Sequence, residues 1–171
     1  MEAFIALGSN LGDSRRILTA AFERLQSLSA APVRRSSLWR SVPVDCPPGS
    51  PDFLNAAAAL APWPGETPET LLVKLQALER EFGRRPKTVL NEARPLDLDL
   101  ISFGGEVRRT ATLVLPHPRA HQRGFVLAPL AELAPALKLP GQRRTVAGLL
   151  ADLPPAACPV RLAGADESSG R

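Results

Sequence analysis

Residues 94–103 read RPLDLDLISF. Leucine and aspartate alternate from Leu96 to Leu100, and an Ile and a Phe follow. Period-two alternation inside an apolar run predicts a β-strand. Side chains at i and i+2 share one face of a strand, with Cα atoms about 6.5–7 Å apart. Leu96, Leu98 and Leu100 therefore face one way, and Asp97 and Asp99 the other. Two like charges on one face disfavour each other. They stay ionised at low cost only where water or a cation lies between them. One reading is a solvated face of an antiparallel sheet. The other is a hard-cation site, because Mg²⁺ is often held by one or two carboxylates plus substrate phosphates.

The flanks of this strand carry cations. Ahead of it, the irregular segment 84–94 holds Arg84, Arg85, Lys87 and Arg94. Behind it, LPHPRAHQRGF (115–125) holds His117, Arg119, His121 and Arg123. Such runs often do no more than solvate a surface. An acidic pair between arginines also suits a metal-bridged polyphosphate, with the arginines stabilising charge as it moves in a transition state. His117 stands between two prolines, on a turn that holds it rigidly.

Further out, EAFIALG (2–8) reads as a strand, SNLGDS as a turn, and Ser14 to Ser27 as a helix with Ile17, Ala20, Ala21, Leu25 and Leu28 inward. Residues 32–44 read as one extended strand, and VDCPPGSPD as a loop dense in Pro and Gly. FLNAAAALAP is helical by propensity, but its short span between proline-bounded loops predicts a strand. A helix begins at Thr67 or Thr70 and stops near Gly83, with Leu71, Leu72, Leu75 and Leu78 inward. FGGE reads as a hairpin turn, VLAPLAELAP as a short helix around Pro129, and TVAGLLADL as a last helix. Gly8 and Gly12 flank a strand-to-helix turn but match neither common nucleotide-loop motif. The order strand, helix, strand, strand, helix, strand is the ferredoxin-like pattern. It predicts an α+β fold: a mostly antiparallel sheet flanked by helices. Residues 1–162 are read as one domain and 163–171 as a disordered tail.

The totals fit this picture. The 171 residues suit one domain, and 44% hydrophobic with 22% charged residues is ordinary for a globular chain. No apolar run approaches the roughly 20 residues of a membrane span, and the N-terminus shows no secretory pattern. Cys46 and Cys158 lack metal-ligand spacing and read as free thiols in a reducing cytoplasm. The net charge is +4, and only three of the 21 basic residues are Lys. That is a weak pointer to an anionic ligand.

The blocks ALGSNLGD, PDFLNAAA, ALEREFGR, RPLDLDLISFGG and LPHPRAHQRGFVLAPLAELAP occur in the order of the motifs of a known family. From about residue 3 to 153 the chain resembles the 6-hydroxymethyl-7,8-dihydropterin pyrophosphokinases of folate biosynthesis. The resemblance implies a ferredoxin-like α+β fold. It implies transfer of pyrophosphate from ATP to the pterin hydroxymethyl group, with two Mg²⁺ ions and release of AMP. By this resemblance Asp97 and Asp99 are the magnesium ligands, and Arg84 and Arg94 the arginines of a mobile catalytic loop. His117, Arg123, Gln76 and Leu100 fall to ATP. Ser41, Val42, Pro43, Val44, Phe53, Asn55 and Phe125 fall to the pterin, and Glu79 and Asn10 to support. Phe53 stands where the family often has Tyr, so stacking is kept and a hydroxyl lost. Some members carry Arg-Trp-Gly-Pro-Arg where this chain has Leu90-Asn91-Glu92-Ala93-Arg94, so a stacking Trp and one cation are missing from the loop. The partners implied are ATP and the pterin alone, without nucleic acid or membrane, for a monomer. The rivals are a ferredoxin-like module binding single-stranded RNA on its sheet and another phosphoryl or nucleotidyl transferase of the same fold.

Overall fold

The computed structural model describes residues 1–164. The predicted tail 163–171 lies outside them from residue 165 on, and Ala163 and Gly164 have no regular structure. In chain order the elements are β1 (Ala3–Ser9), α1 (Ser14–Leu25), β2 (Arg34–Arg35), β3 (Trp39–Ser41), β4 (Phe53–Leu60), α2 (Pro68–Glu81), β5 (Asp97–Phe103), β6 (Arg108–Arg109), β7 (Val114–Leu115), α3 (Gly124–Leu133), α4 (Val146–Asp152) and β8 (Val160–Arg161).

The Leu-Asp run forms β5, at one edge of a fully antiparallel sheet of order β5-β1-β4-β3-β8, with β2 also on β4. Alternation does what the sequence demands. Leu98 and Leu100 join Ile5, Leu7, Ala56, Ala58 and Leu60 beneath α1 and α2, where Leu18, Leu25, Leu71 and Leu75 are fully buried. Each such side chain contributes roughly 1.5–3 kcal/mol by leaving water. The opposite face carries Phe4, Ala59 and Ile101 beneath α3 and α4, packed on Val126, Leu127, Leu130 and Val146. Alanines 56–59 are each at most 2% exposed. A central position between two ladders, buried on both faces, overrides their helical propensity.

The register slips between Phe4 and Ile5: Phe4 faces Ser102 while Ile5 faces Leu100. Ile101 is the extra residue of a β-bulge. The bulge returns Phe103 to the α1–α2 core while keeping Ile101 on the face of the aspartates. Released from the ladder, the Ile101 carbonyl accepts the His117 N–H at 2.8 Å.

Three local expectations need correction. Residues 32–44 are two short strands rather than one. At the break, Ser36 N–H donates to the Ala57 carbonyl and Ser36 Oγ accepts from Ala57 N–H, so a side chain takes over one rung of the ladder. FGGE does turn, with Gly104 at φ +53° and Glu106 N–H on the Phe103 carbonyl. It joins no hairpin, however, because the next strand, β6, pairs with β7 in a separate ribbon. The short strand β8 was not foreseen. Helix α2 starts at Pro68, with Thr67 as its cap: Thr67 Oγ1 accepts Thr70 N–H and Thr70 Oγ1 accepts Thr67 N–H. Among the described residues no helix is long and apolar enough to cross a membrane.

Candidate active site

Helix α3 covers only part of its sheet face. Beyond its N-terminus, β1, β4 and β5 floor a cavity of about 380 Å³. Gly8 of β1 faces Asn55 of β4 on one side and Asp97 of β5 on the other. A Cβ there would lie 3.6 Å from Phe53, 3.8 Å from Asn55 Oδ1 and 4.0 Å from Asp97 Cβ, so Gly8 keeps the floor between them low. Phe53 and Phe125 line the cavity on different elements, and Asp97 and Asp99 lie together beyond them.

The acid pair is unequally served. Asp97 is ion-paired to Arg84, and Arg94 Nε lies 3.7 Å from its other oxygen. The Asp99 side chain has no hydrogen bond or ion pair among the described residues, although its backbone sits in the ladder opposite Ala6. Burial, then the neighbouring Asp97 and Glu79, push its carboxyl up to about 7, with Arg123 and Arg94 offsetting part of the shift. Glu79 Oε1 accepts Leu98 N–H at 2.8 Å and Arg84 Nη1–H at 3.0 Å, which locks the backbone between the two aspartates. Burial also raises Glu79.

The arginines reach this point from a loop. Asn10, 3% exposed, accepts Arg94 N–H at 2.9 Å on Oδ1 and donates its own N–H to the Arg94 carbonyl. The Arg94 guanidinium lies 5.9 Å from the Phe53 ring centre, and its buried Nε has no hydrogen-bond partner. Arg123 lies 5.4 Å from the Phe125 ring. The Asn55 amide donates to Ser41 Oγ at 2.8 Å and to the Trp39 carbonyl at 3.2 Å. Its Oδ1 accepts nothing among the described residues and is left as a free acceptor.

Residues 4–135 match the family model 7,8-dihydro-6-hydroxymethylpterin-pyrophosphokinase. The chain belongs to this family. It is 39% identical over 147 residues to a 2-amino-4-hydroxy-6-hydroxymethyldihydropteridine pyrophosphokinase of Haemophilus influenzae, covering 84% of this chain and 88% of that one. It is 41% identical over 145 residues to the Pseudomonas aeruginosa protein of the same name, covering 83% and 86%. A solved HPPK-DHPS structure in complex with substrates superposes with a TM-score of 0.65 at 13% identity. It covers 88% of this chain and 42% of that chain, and this likeness concerns the fold alone.

Of the residues the family resemblance singled out, Ser41, Val42, Val44, Phe53, Asn55, Arg94, Asp97, Asp99, Arg123 and Phe125 line one cavity. Arg84, Glu79 and Asn10 touch it through the contacts above. Four do not line it. Leu100 is 4% exposed inside the α1–α2 core, so it can offer a ligand only its backbone. Gln76 is exposed on α2, one turn before Glu79, and Pro43 is half-buried between two cavity residues. His117 lines a neighbouring cavity of about 240 Å³ with Arg109 and His121. Its Nδ1 accepts Arg119 N–H at 3.2 Å, and burial, then Arg123 and Arg119, push it down to about 4. His117 is therefore a neutral imidazole, with its proton on Nε2.

Sequence reasoning gave no site role to Asp45, Cys46, Gln122, Asn91 and Ala157, which line the cavity together with Arg119, one of the flanking cations. Gln122 lies in the same basic loop as His117 and Arg119 and could have been taken with them. Asn91 stands where some relatives carry Trp; here it adopts φ +53° and donates to the Asp45 carbonyl at 2.7 Å, tying two loops together. No local signal marked Ala157.

Proposed function

We propose that this protein transfers pyrophosphate from ATP to the hydroxymethyl group of 6-hydroxymethyl-7,8-dihydropterin, releasing AMP, as a step of tetrahydrofolate biosynthesis. The observation that carries the reading is the single cavity that brings an acid pair, two aromatic rings and a free amide acceptor onto one sheet face. Phe53 and Phe125 offer apolar faces to a flat heterocycle. Asn55 Oδ1 is placed to accept from an N–H on the ring edge. Held by two protein acceptors, its amide cannot rotate without losing both bonds, and this favours a ring that presents a donor.

The carboxylates suit divalent cations. Asp99 is half-buried beside Asp97 and Glu79 with no cationic partner in direct contact among the described residues, which a bound cation would correct. Among the described residues no group of three or more His, Cys, Asp or Glu side chains gathers as a metal cluster. Two carboxylates plus phosphate oxygens therefore fit better than an all-protein cage. Asp97 and Asp99 would hold two Mg²⁺ ions. Such ions neutralise phosphate charge and orient attacking and leaving oxygens. The protein's own part is positioning and electrostatics. The aromatic pair and Asn55 hold the alcohol, Arg84, Arg94 and Arg123 face developing phosphate charge, and neutral His117 donates from Nε2.

The antiparallel order β5-β1-β4-β3, with two helices on one face, supports a ferredoxin-like core. Aspartates on the ligand face argue against single-stranded nucleic acid, whose phosphates they repel. Two free cysteines favour a reducing cytoplasm, and the protein is taken to act as a monomer. The test is AMP formation from ATP, measured with and without the pterin alcohol and with and without Mg²⁺. Formation that requires both supports the proposal. AMP independent of the pterin, or transfer to unrelated alcohols, replaces it with another phosphoryl transferase.

A further inference from the structure

The matched family region ends at residue 135, yet the cavity has a wall made by Ala157. The turn that carries it, Pro155–Ala157, is held at both ends. On one side it lies against the first residue of α3. A Cβ at Gly124 would sit 2.1 Å from the Ala157 carbonyl oxygen and 3.3 Å from Cys158 Cα, so only glycine lets the turn approach this closely. The next residue of α3 is Phe125. On the other side, β8 pairs with Trp39 and Arg40 of β3, Leu162 N–H donates to the Leu38 carbonyl at 2.9 Å, and Arg161 donates to Ser37 Oγ. The following β3 residue is Ser41, whose hydroxyl, with the Trp39 carbonyl, fixes the Asn55 amide. The C-terminal segment is thus clamped between the helix that presents one aromatic ring and the strand that orients the ring-edge acceptor.

We infer that this segment is part of the substrate site, and that Ala157 is a specificity-determining residue whose small side chain sets how large a heterocyclic alcohol the cavity admits. The inference rests on the pterin reading above. The segment is tied to Phe125 through Gly124 and to the strand that fixes Asn55, the groups that meet the acceptor, so the wall acts on the acceptor more than on ATP. One methylene too many in an apolar pocket changes discrimination by roughly 10- to 200-fold.

The experiment compares wild type, Ala157→Leu, Ala157→Gly and Gly124→Ala by steady-state AMP formation, with thermal melting as the fold control. Ala157 is exposed at the rim, so neither substitution there should unfold the chain. Ala157→Leu is expected to raise the pterin KM about tenfold, with kcat at saturation and the ATP KM within about threefold. Ala157→Gly should leave the parent KM within about threefold and raise relative turnover of a ring-alkylated pterin alcohol. Gly124→Ala should lift the turn and raise the pterin KM while sparing the ATP KM. An unchanged pterin KM in both Ala157→Leu and Gly124→Ala overturns the inference, as do equal losses for pterin and ATP. Wild type without pterin-dependent AMP removes the parent reading, and this shows before any variant is made.

Discussion

Strand β5 and segment 84–94 meet at Asp97, and different forces hold them there. The strand is fixed by its ladder to β1 and by Leu98 and Leu100 in the core behind it. Its aspartates could not move apart without undoing both. The segment buries little, and Val89 and Leu90 stand exposed at its tip. It is held by hydrogen bonds at Asn10, Asp45 and Glu92 and by the charges of Arg84 and Arg94 against Asp97. A fold with a packed back face can hold like charges together. A loop with few buried contacts sits at the low end of local stability and goes where charge sends it. With no ligand, that charge is Asp97 itself. Under the proposed function, a polyphosphate at the acids would compete for Arg84, and the loop's position would report what is bound.

The sharpest way to break this contrast is to remove the fixed side. Asp97→Ala or Asp99→Ala should each lower turnover by about 10³-fold, the upper end of what losing a central electrostatic stabiliser costs, while circular dichroism stays native. Near-normal Mg²⁺-dependent turnover in either variant would sink the assignment of the pair. Removing the charge-held side should do less. Arg84→Ala and Arg94→Ala should slow the single-turnover rate by about 10²-fold and weaken ATP binding by less than about tenfold, because the contacts matter most in the transition state. Amide exchange over 84–94 should slow when a non-hydrolysable ATP analogue and the pterin bind together. Unchanged exchange with unimpaired single-turnover rates would leave these arginines as surface charges.

How far the sequence could be read follows the same division. Where one periodicity governs, as in β5, the facing of each side chain was legible, and with it the acid pair. The alanine run of β4 was legible from its length and bounds, against its propensity. The Ile101 bulge was not, because alternation in LDLDLISF gives no sign of where a ladder slips. The bulge decides where His117 docks, so the separate cavity of His117 was equally hidden. Ser36 breaks the expected 32–44 strand through a side-chain bond to Ala57, a residue 21 positions away, and no local pattern records such a partner. The site residues came mostly from motif resemblance, which located the cavity's centre. Ala157 and Asp45 were missed because tertiary contacts alone bring them in.

A smaller effect tests whether the fixed region extends to the pterin side. Asn55 lies on β4 and its amide is held by β3, so it should act as rigidly as the aspartates. Asn55→Ala removes a buried acceptor worth roughly 1–3 kcal/mol when its partner is left unpaired. Pterin binding should weaken by about 10- to 100-fold, the same range expressed as affinity, with ATP binding within about twofold. Titrations with each ligand alone would check this, and equal losses for both would mark a general defect of the sheet.

The smallest effect is on stability, and there Asp99 on the strand and His117 in the basic loop that follows it should respond to pH with opposite signs. Asp99 titrates near 7 in the fold against an ordinary 3.8, so its neutral form is favoured by burial beside Asp97 and Glu79. Its contribution is fully present below pH 3.8 and is lost as pH rises through about 7. In the metal-free protein, Asp99→Asn should therefore melt like wild type near pH 4 and progressively above it as pH rises to 8. His117 runs the other way. Its folded value is near 4 against 6.5, because burial and then Arg123 and Arg119 disfavour the cation. Its contribution is present above pH 6.5 and lost as pH falls through 4, so His117→Gln should blunt the loss of stability between 6.5 and 4 and leave the alkaline side unchanged. At this chain length each kcal/mol shifts Tm by about 2–4 °C, which calorimetry in chelator across pH 4–8 resolves. A difference between Asp99→Asn and wild type that is flat with pH would mean that the strand-borne acid is solvated rather than held. The contrast between a fixed acid pair and a charge-positioned loop would then lose its physical basis.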